Sequence, residues 1–364
     1  MRAFDAVVIG AGAFGSWTAL HLRRTGRSVA LLDRYGAGNN RSSSGGESRI
    51  IRMGYGADEI YTRWAMRSLH LWTELFEQIG RPELFQKTGV LWTPRPGDER
   101  ELTTQAVFEK CGVALDRLSS ADLARSFPQL RFQEQRVGLF EPGSGVLLAR
   151  RAVQAVVQQA IREGVEYRWE TATAPPPSGI VVYACGPWLP RIFPEILARR
   201  IRVTRQEVFF FGTPDPSFAP PRLPVWIDIT DEHSAYTIPE IENRGLKLAF
   251  DRHGPEFDPD SGHRVVAGLD SARVFLAQRF PALSGAPLVE SRVCQYENTS
   301  TGDFLLDRHP EFENVWLAGG GSGHGFKHGP AVGEHIRAVI DGQAAGEPRF
   351  SLASKAREPR RTVF

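Results

Sequence analysis

The run Gly319-Gly320-Gly321-Ser322-Gly323-His324-Gly325-Phe326-Lys327 sets an ammonium and an imidazole among glycines whose backbone N–H groups can approach a bound group closely. Loops that only turn a chain rarely combine these features. Val315-Trp316-Leu317 before it reads as a short strand and Gly329 to Ile340 as a helix opening near Pro330. The loop therefore falls at a strand-to-helix crossing, where an open α/β sheet places its ligand. A second such crossing starts the chain. Apolar Ala6-Val7-Val8-Ile9 leads into Gly10-Ala11-Gly12-Ala13-Phe14-Gly15, a helical pattern follows through Trp17, Leu20 and Leu22, and Gly26 stops it before Val29-Ala30-Leu31-Leu32 and Asp33. Gly10 permits the tight turn, Gly12 admits a diphosphate to the helix N-terminus, and Gly15 lets helix pack on strand. Asp33 falls about 20 positions after the glycines, where a ribose-binding carboxylate belongs. An ADP-containing dinucleotide is expected there, and this motif alone leaves NAD and FAD open.

A third polar, glycine-bearing segment, Ser42-Ser43-Ser44-Gly45-Gly46-Glu47-Ser48-Arg49-Ile50-Ile51-Arg52, comes directly after the second strand. Arg49 and Arg52 stand three apart on what reads as a helical turn, and so share a face.

The elements that must hold these groups need a chain of some size. With 364 residues and 41% hydrophobic content, two domains are expected. Net charge is only +2, from 44 basic against 42 acidic residues, with no long single-sign block outside the tail, so nucleic acid is excluded as the expected partner. Cys111, Cys185 and Cys294 lie far apart without a CxxC or other metal-ligand spacing, so neither a disulfide framework nor a metal site is expected. No signal peptide is read at the start, and no apolar run reaches the roughly 18 residues of a membrane helix. A soluble cytoplasmic protein is the expectation, acting as a monomer.

Taken in order, GAGAFG with Asp33, GGESRIIR with Tyr55-Gly56, Lys87-Thr88-Gly89-Val90-Leu91, Phe140-Glu141-Pro142-Gly143-Ser144-Gly145-Val146, Gly245-Leu246-Lys247-Leu248, Val293-Cys294-Gln295-Tyr296, Asp307-Arg308-His309-Pro310 and GSGHGFK span most of the chain. This series resembles the monomeric sarcosine oxidase and N-methyltryptophan oxidase group of the D-amino-acid-oxidase-like FAD oxidoreductases. The expected fold is α/β and α+β: a Rossmann-like FAD-binding domain from 1–80, 143–202 and 290–346, with a second, mainly antiparallel-sheet substrate domain from 81–142 and 203–289. Residues 347–364 are expected to trail over the surface.

The resemblance implies FAD held by the dinucleotide unit, with Ser43, Ser44, Arg49, Gly320, Gly323, Gly325 and Lys327 around it. It also implies a thioether from Cys294 to the flavin 8α position; Cys111 and Cys185 are read as structural. Gly319, Gly320, Gly321 and Gly323 would offer N–H groups to the flavin pyrimidine edge. Arg52 and Lys327 match a pair that grips a substrate carboxylate, one as a planar fork and one as a point charge. Lys247 matches a lysine near flavin N5 that promotes reaction with O2. His324 and Arg49 match residues that tune the flavin and orient substrate, Tyr236 an aromatic that lines the substrate cavity, and Tyr296 lies beside the tether. The implied reaction is oxidation of a secondary or N-methyl amino acid with release of H2O2. Oxidation of glycated or cyclic imino acids is the alternative on the same fold, and an NAD-binding reductase or a non-catalytic homologue the alternative outside it.

Three departures from the group stand out. Asp251 replaces an aromatic or imidazole at the mouth of the site, and Glu297 adds a second carboxylate; both are expected to favour a cationic or longer amine. Residues 171–179 are too short for the three-stranded meander that usually crosses the cofactor, which puts the adenine-side contacts in doubt.

Overall fold

The structure, a computed structural model, describes residues 4–132, 134–171, 179–230, 234–261 and 266–356. The shortened segment at 171–179 therefore lies almost entirely outside the described residues.

The strand Ala6–Ile9 is buried along its whole length, as a central parallel strand covered on both faces must be. It sits inside a six-stranded sheet ordered Leu305–Arg308, Val315–Gly319, Ile180–Tyr183, Ala6–Ile9, Val29–Asp33 and Glu166–Trp169. All neighbours run parallel except the first pair. The helix Ala13–Arg24 packs against both Ala149–Arg162 and Gly329–Ile340. Two glycines make the crossing possible. Gly10 has φ +105°, and a Cβ on Gly15 would lie 1.8 Å from the Gly10 carbonyl oxygen, so only glycine lets this helix start so close to its strand. Ala6–Ile9 and Val315–Gly319 consequently both run out into glycine turns at the same end of the sheet, and a ligand cleft opens there.

The second sheet has eight strands, ordered Leu288–Thr299, Ile201–Phe211, Leu246–Phe250, Ser234–Ile238, Val225–Ile229, Val90–Trp92, Gly138–Glu141 and Asp116–Leu118. It is antiparallel except where Val225–Ile229 meets Val90–Trp92. Period-two alternation divides its faces. Phe209, Phe211, Leu246 and Leu248 pack with Phe275 and Phe280 in one core. Val208, Phe210 and Ala249 face the other way, against Tyr236 and Cys294. Lys247 shares that second face, because it pairs with Phe210 and Ile238 one position from the apolar core residues.

Three expectations are corrected here. Arg49–Ile51 is a strand, not a helical turn: it pairs antiparallel with Gly145–Leu147, in a three-stranded sheet completed by Phe85–Gln86. The β-branched pair Ile50-Ile51 favours this extended form. Residues 290–299, placed with the cofactor unit from sequence, hydrogen-bond along Ile201–Phe211 within the eight-stranded sheet. Residues 347–356 do not trail, since Phe350 and Lys355 are buried and the Arg349 guanidinium donates to Asp58 and Asp303 at 2.7 Å each. The rest of that tail, 357–364, lies outside the described residues. Among the described residues no helix is long and apolar enough to cross a membrane.

Candidate active site

The cleft begins at Asp33 and Tyr35, passes Gly10, Gly12, Ser43 and Ser44, and ends at Arg49, Cys294, Tyr296 and Gly323. Asp33 ties its near end together. Its carboxylate accepts from Ala11 N at 2.7 Å and from Tyr35 N and Gly36 N at 2.8 Å, and burial raises its proton affinity against those bonds. A carboxylate has acceptor capacity beyond three donors, so a ribose hydroxyl can still be received. Ser44 Oγ accepts from Ala13 N at the helix start, at 3.1 Å, and Ser43 Oγ donates to the Gln295 carbonyl at 3.0 Å. These bonds fasten the serine loop to the first helix on one side and to the long strand Leu288–Thr299 on the other. A helix N-terminus whose N-cap residue, Gly12, has no side chain to fill the space before it, a glycine turn too tight for any Cβ and a carboxylate beyond it suit the ADP half of a dinucleotide. The cleft then continues to Cys294.

The glycine loop behaves differently from expectation in one respect. Gly321, Gly323 and Gly325 line the cleft, but Gly319 and Gly320 line neither space: Gly320, with φ +67°, turns the chain, and a Cβ there would meet Thr299 at 2.6 Å. Gly321 N donates at 3.3 Å to Glu297 Oε1. Glu297 thus lines this cleft and not the smaller cavity beyond Cys294 where Asp251 lies, contrary to the expectation that pairs the two carboxylates. Burial pushes its carboxyl up to about 7, with the Gly321 and Gly320 N–H groups pulling against that, while Oε2 has no hydrogen-bond partner among the described residues. A carboxyl that binds its proton more tightly folded than unfolded costs stability as pH rises through about 4.5 to about 7. Glu297→Gln is therefore expected to stabilise the flavin-free protein by up to about 3 kcal/mol above neutral pH and by little in acid. Thermal melts of both proteins against pH check this, and a pH-independent difference would contradict it.

Beyond Cys294 a smaller cavity of about 90 Å³ opens against the eight-stranded sheet. Arg49, Arg52, Tyr236, Lys247, Cys294, His324 and Lys327 all line it, so the structure brings together seven residues singled out from five separate stretches of sequence. Arg49, Cys294, Tyr296, Gly323 and Phe326 border both spaces and mark their junction. There the Arg49 guanidinium donates to Cys294 Sγ at 3.2 Å and to the Ser43 carbonyl at 2.7 Å.

Arg52 and Lys327 meet over one aromatic ring. The Arg52 guanidinium lies 4.4 Å from the Tyr55 ring centre and 4.7 Å from that of Trp92, and Lys327 Nζ lies 5.2 Å from Tyr55. Arg52 also donates to the Gly54 carbonyl, and Lys327 to the His324 carbonyl at 3.0 Å. Burial, then the neighbouring Arg52, holds the Lys327 ammonium well below the usual lysine range. Two cations kept this close by the fold, one of them desolvated, call for an anion.

Sequence reasoning missed the groups that position them. Buried Glu141 accepts from Met53 N at 2.8 Å, Gly54 N at 3.1 Å and Trp92 Nε1 at 2.6 Å, and so fixes the turn after Arg52 together with its indole platform. The signal available was a charged end to the otherwise apolar strand Gly138–Glu141. Tyr55 was quoted only for its place in a motif, yet its hydroxyl lies 3.2 Å from His324 Nδ1 and 2.8 Å from His328 Nε2. His324 Nε2 faces the Gly302 carbonyl at 3.0 Å, which can only accept. In the neutral ring Nε2 therefore carries the hydrogen and Nδ1 accepts from Tyr55. Cys185, read as structural, borders the cofactor cleft, where burial raises its thiol and Sγ donates to the Ile9 carbonyl at 3.4 Å.

Lys247 Nζ donates to the Ser48 carbonyl at 2.9 Å and lies 5.7 Å from the Tyr236 ring centre. Burial, followed by the charge of Arg49, holds its ammonium well below the usual lysine range. Asp251 Oδ1 accepts from the Tyr296 hydroxyl at 3.1 Å.

A dinucleotide cleft that runs into a desolvated, cation-lined cavity defines a nucleotide-cofactor oxidoreductase. The chain belongs to the FAD dependent oxidoreductase family, whose profile matches residues 5–338. Among its relatives, peroxisomal sarcosine oxidase of Mus musculus is 31% identical over 357 residues, covering 91% of this chain and 90% of that protein. Monomeric sarcosine oxidase of Bacillus sp. (strain B-0618) is 28% identical over 354 residues, covering 91% and 90%. The solved structure of L-proline dehydrogenase from P.horikoshii matches with a TM-score of 0.82 over 96% of this chain and 97% of that one, at 21% identity, a likeness of fold.

Proposed function

We propose that this protein is an oxidase of a secondary or N-methyl amino acid, with FAD tethered through Cys294. The observation that carries the reading is the convergence of Arg52 and Lys327 on the cavity that Cys294 and Lys247 also line. When bound, FAD supplies the acceptor for a hydride from the carbon beside nitrogen and passes the electrons to O2, giving H2O2. The chain's own task is positioning. Arg52 receives the substrate carboxylate on a planar fork stiffened by Tyr55, Trp92 and the Glu141-held turn, and Lys327 adds a point charge. The aromatic walls exclude water and strengthen both attractions. Lys247 holds a charge where oxygen is reduced, and the imine product hydrolyses in water to an aldehyde and the shorter amine. Similarity to two sarcosine oxidases over nine-tenths of the chain supports the substrate class.

Acid precipitation tests the reading most directly. Yellow colour is expected to stay with the denatured wild-type protein and to pass into the supernatant for Cys294→Ser. A colourless pellet from active wild-type enzyme, or an unmodified mass for its Cys294 peptide, would remove the tether. Peroxide release across sarcosine, N-methyl-L-tryptophan, L-pipecolate and a fructosyl amino acid then separates the substrate class from glycated and cyclic alternatives.

A further inference from the structure

We propose that Asp251 takes the proton from the substrate's ammonium group, so that the amine meets the oxidant with its lone pair free. This rests on the amino-acid oxidase reading above. The small cavity is lined by four cationic side chains, Arg49, Arg52, Lys247 and Lys327, and among the described residues by one carboxylate, that of Asp251. A zwitterionic amino acid brings one charge of each sign. Its carboxylate has Arg52 and Lys327, whereas for its nitrogen Asp251 is the one oppositely charged side chain among the described lining residues. In so small a space the nitrogen, one carbon from the carboxylate, cannot move far from the clamp.

Asp251 is built to be available. Its backbone N donates to the Ser234 carbonyl at 2.7 Å, which pins the end of the strand Leu246–Phe250, and among the described residues its carboxylate accepts from the Tyr296 hydroxyl at 3.1 Å. Among the described residues no lysine, arginine or histidine forms an ion pair with it, and Arg52 and Lys327 act on it only through their charge. The groups facing it are Tyr296 from Leu288–Thr299, Tyr236 from Ser234–Ile238, Arg52 and Tyr55 beyond Arg49–Ile51, and Lys327 from the glycine loop. Burial pushes its carboxyl up to about 6, while Tyr296, Arg52 and Lys327 act in the opposite sense, so it is ionised yet basic for a carboxylate near neutral pH. In the step proposed, one N–H bond of the ammonium breaks and its electron pair stays on nitrogen. An O–H bond forms on Asp251, and that proton leaves to solvent after product release.

The test uses the flavin-loaded enzyme, following bleaching of the flavin band without oxygen on mixing with sarcosine, N-methyl-L-tryptophan or L-pipecolate. Methylthioacetate, an acid with sulfur in place of nitrogen, reports carboxylate binding separately. Asp251→Asn is expected to reduce roughly 10²-fold more slowly near neutral pH. It should recover as pH rises toward the range where the free amine is already deprotonated, with methylthioacetate binding nearly unchanged and the oxidised flavin spectrum intact. Asp251→Glu should keep most of the neutral-pH rate. A loss equal at every pH, a parallel loss of methylthioacetate binding, or no loss at all would each overturn the assignment. Wild-type flavin that no amine reduces would instead overturn the oxidase reading, and this assignment with it.

Discussion

Lys247→Met is expected to slow reaction of the reduced enzyme with oxygen by roughly 10²–10³-fold, the range found when one preorganised stabilising group is removed from a buried site. Flavin reduction by substrate without oxygen should change far less. The reason lies in the position of Nζ: it is buried, held on the Ser48 carbonyl at 2.9 Å, and faces the cavity at the Cys294 junction. In the proposed reaction the first electron to reach oxygen would make an anion near it, and a fixed ammonium stabilises an anion most strongly where water is excluded. The sign of the pH effect follows. Burial and Arg49 lower the proton affinity of Lys247, so its charge is present at low pH and lost as pH rises, at a lower pH than for an exposed lysine. Reoxidation by the wild type should therefore decline with rising pH before an ordinary lysine would titrate, and the methionine variant should lack that decline. Equal losses in the two half-reactions would remove the role assigned to Lys247.

Arg52→Ala is expected to cost about 2–5 kcal/mol in kcat/KM, or roughly 30- to 5000-fold, as for truncation of one partner of a buried charge pair. The loss should fall mainly on the affinity for carboxylate-bearing amines and on the rate of flavin reduction, not on the oxygen reaction. Arg52→Lys should recover only part of it. A lysine restores the charge, but not the planar fork that lies over Tyr55 at 4.4 Å and Trp92 at 4.7 Å. A fall relative to wild type that is as large for decarboxylated amines as for amino acids would show that Arg52 serves the fold instead of the substrate, because its contact with the Gly54 carbonyl would then be its main function.

How far the sequence carries depends on how local each requirement is. Gly10, Gly12, Gly15 and Asp33 were readable because a tight turn, a helix start and a strand end impose their residue types within a single β-α-β unit. The Arg49–Arg52 spacing was not, because a three-residue interval suits a helix face as well as the end of a strand. The strand wins through pairing with Gly145–Leu147, a partner far along the chain. Glu297 was grouped with Asp251 as a second carboxylate for the amine, but the strand carries it elsewhere. On a strand, three residues amount to roughly 10 Å, which carries Glu297 past the junction and into the glycine loop. Glu141, Trp92 and Tyr55 escaped notice because a buried polar or aromatic side chain gains its role only from distant partners. Phe350 was the overlooked sign that the tail is anchored, and it packs beside Phe304 and Tyr61, next to the histidine chain on Tyr55.

The two ends of the cleft belong to different sheets: Gly10 and Asp33 lie at strand ends in the six-stranded one, and Cys294 lies on a border strand of the eight-stranded one. If the proposed thioether forms, a cofactor gripped at the first and bonded to the second would act as a rivet between them. Neither half could then open independently without stretching the molecule in the cleft, so thermal unfolding of the two halves should merge into one cooperative event, and removing the thiol should let them melt apart.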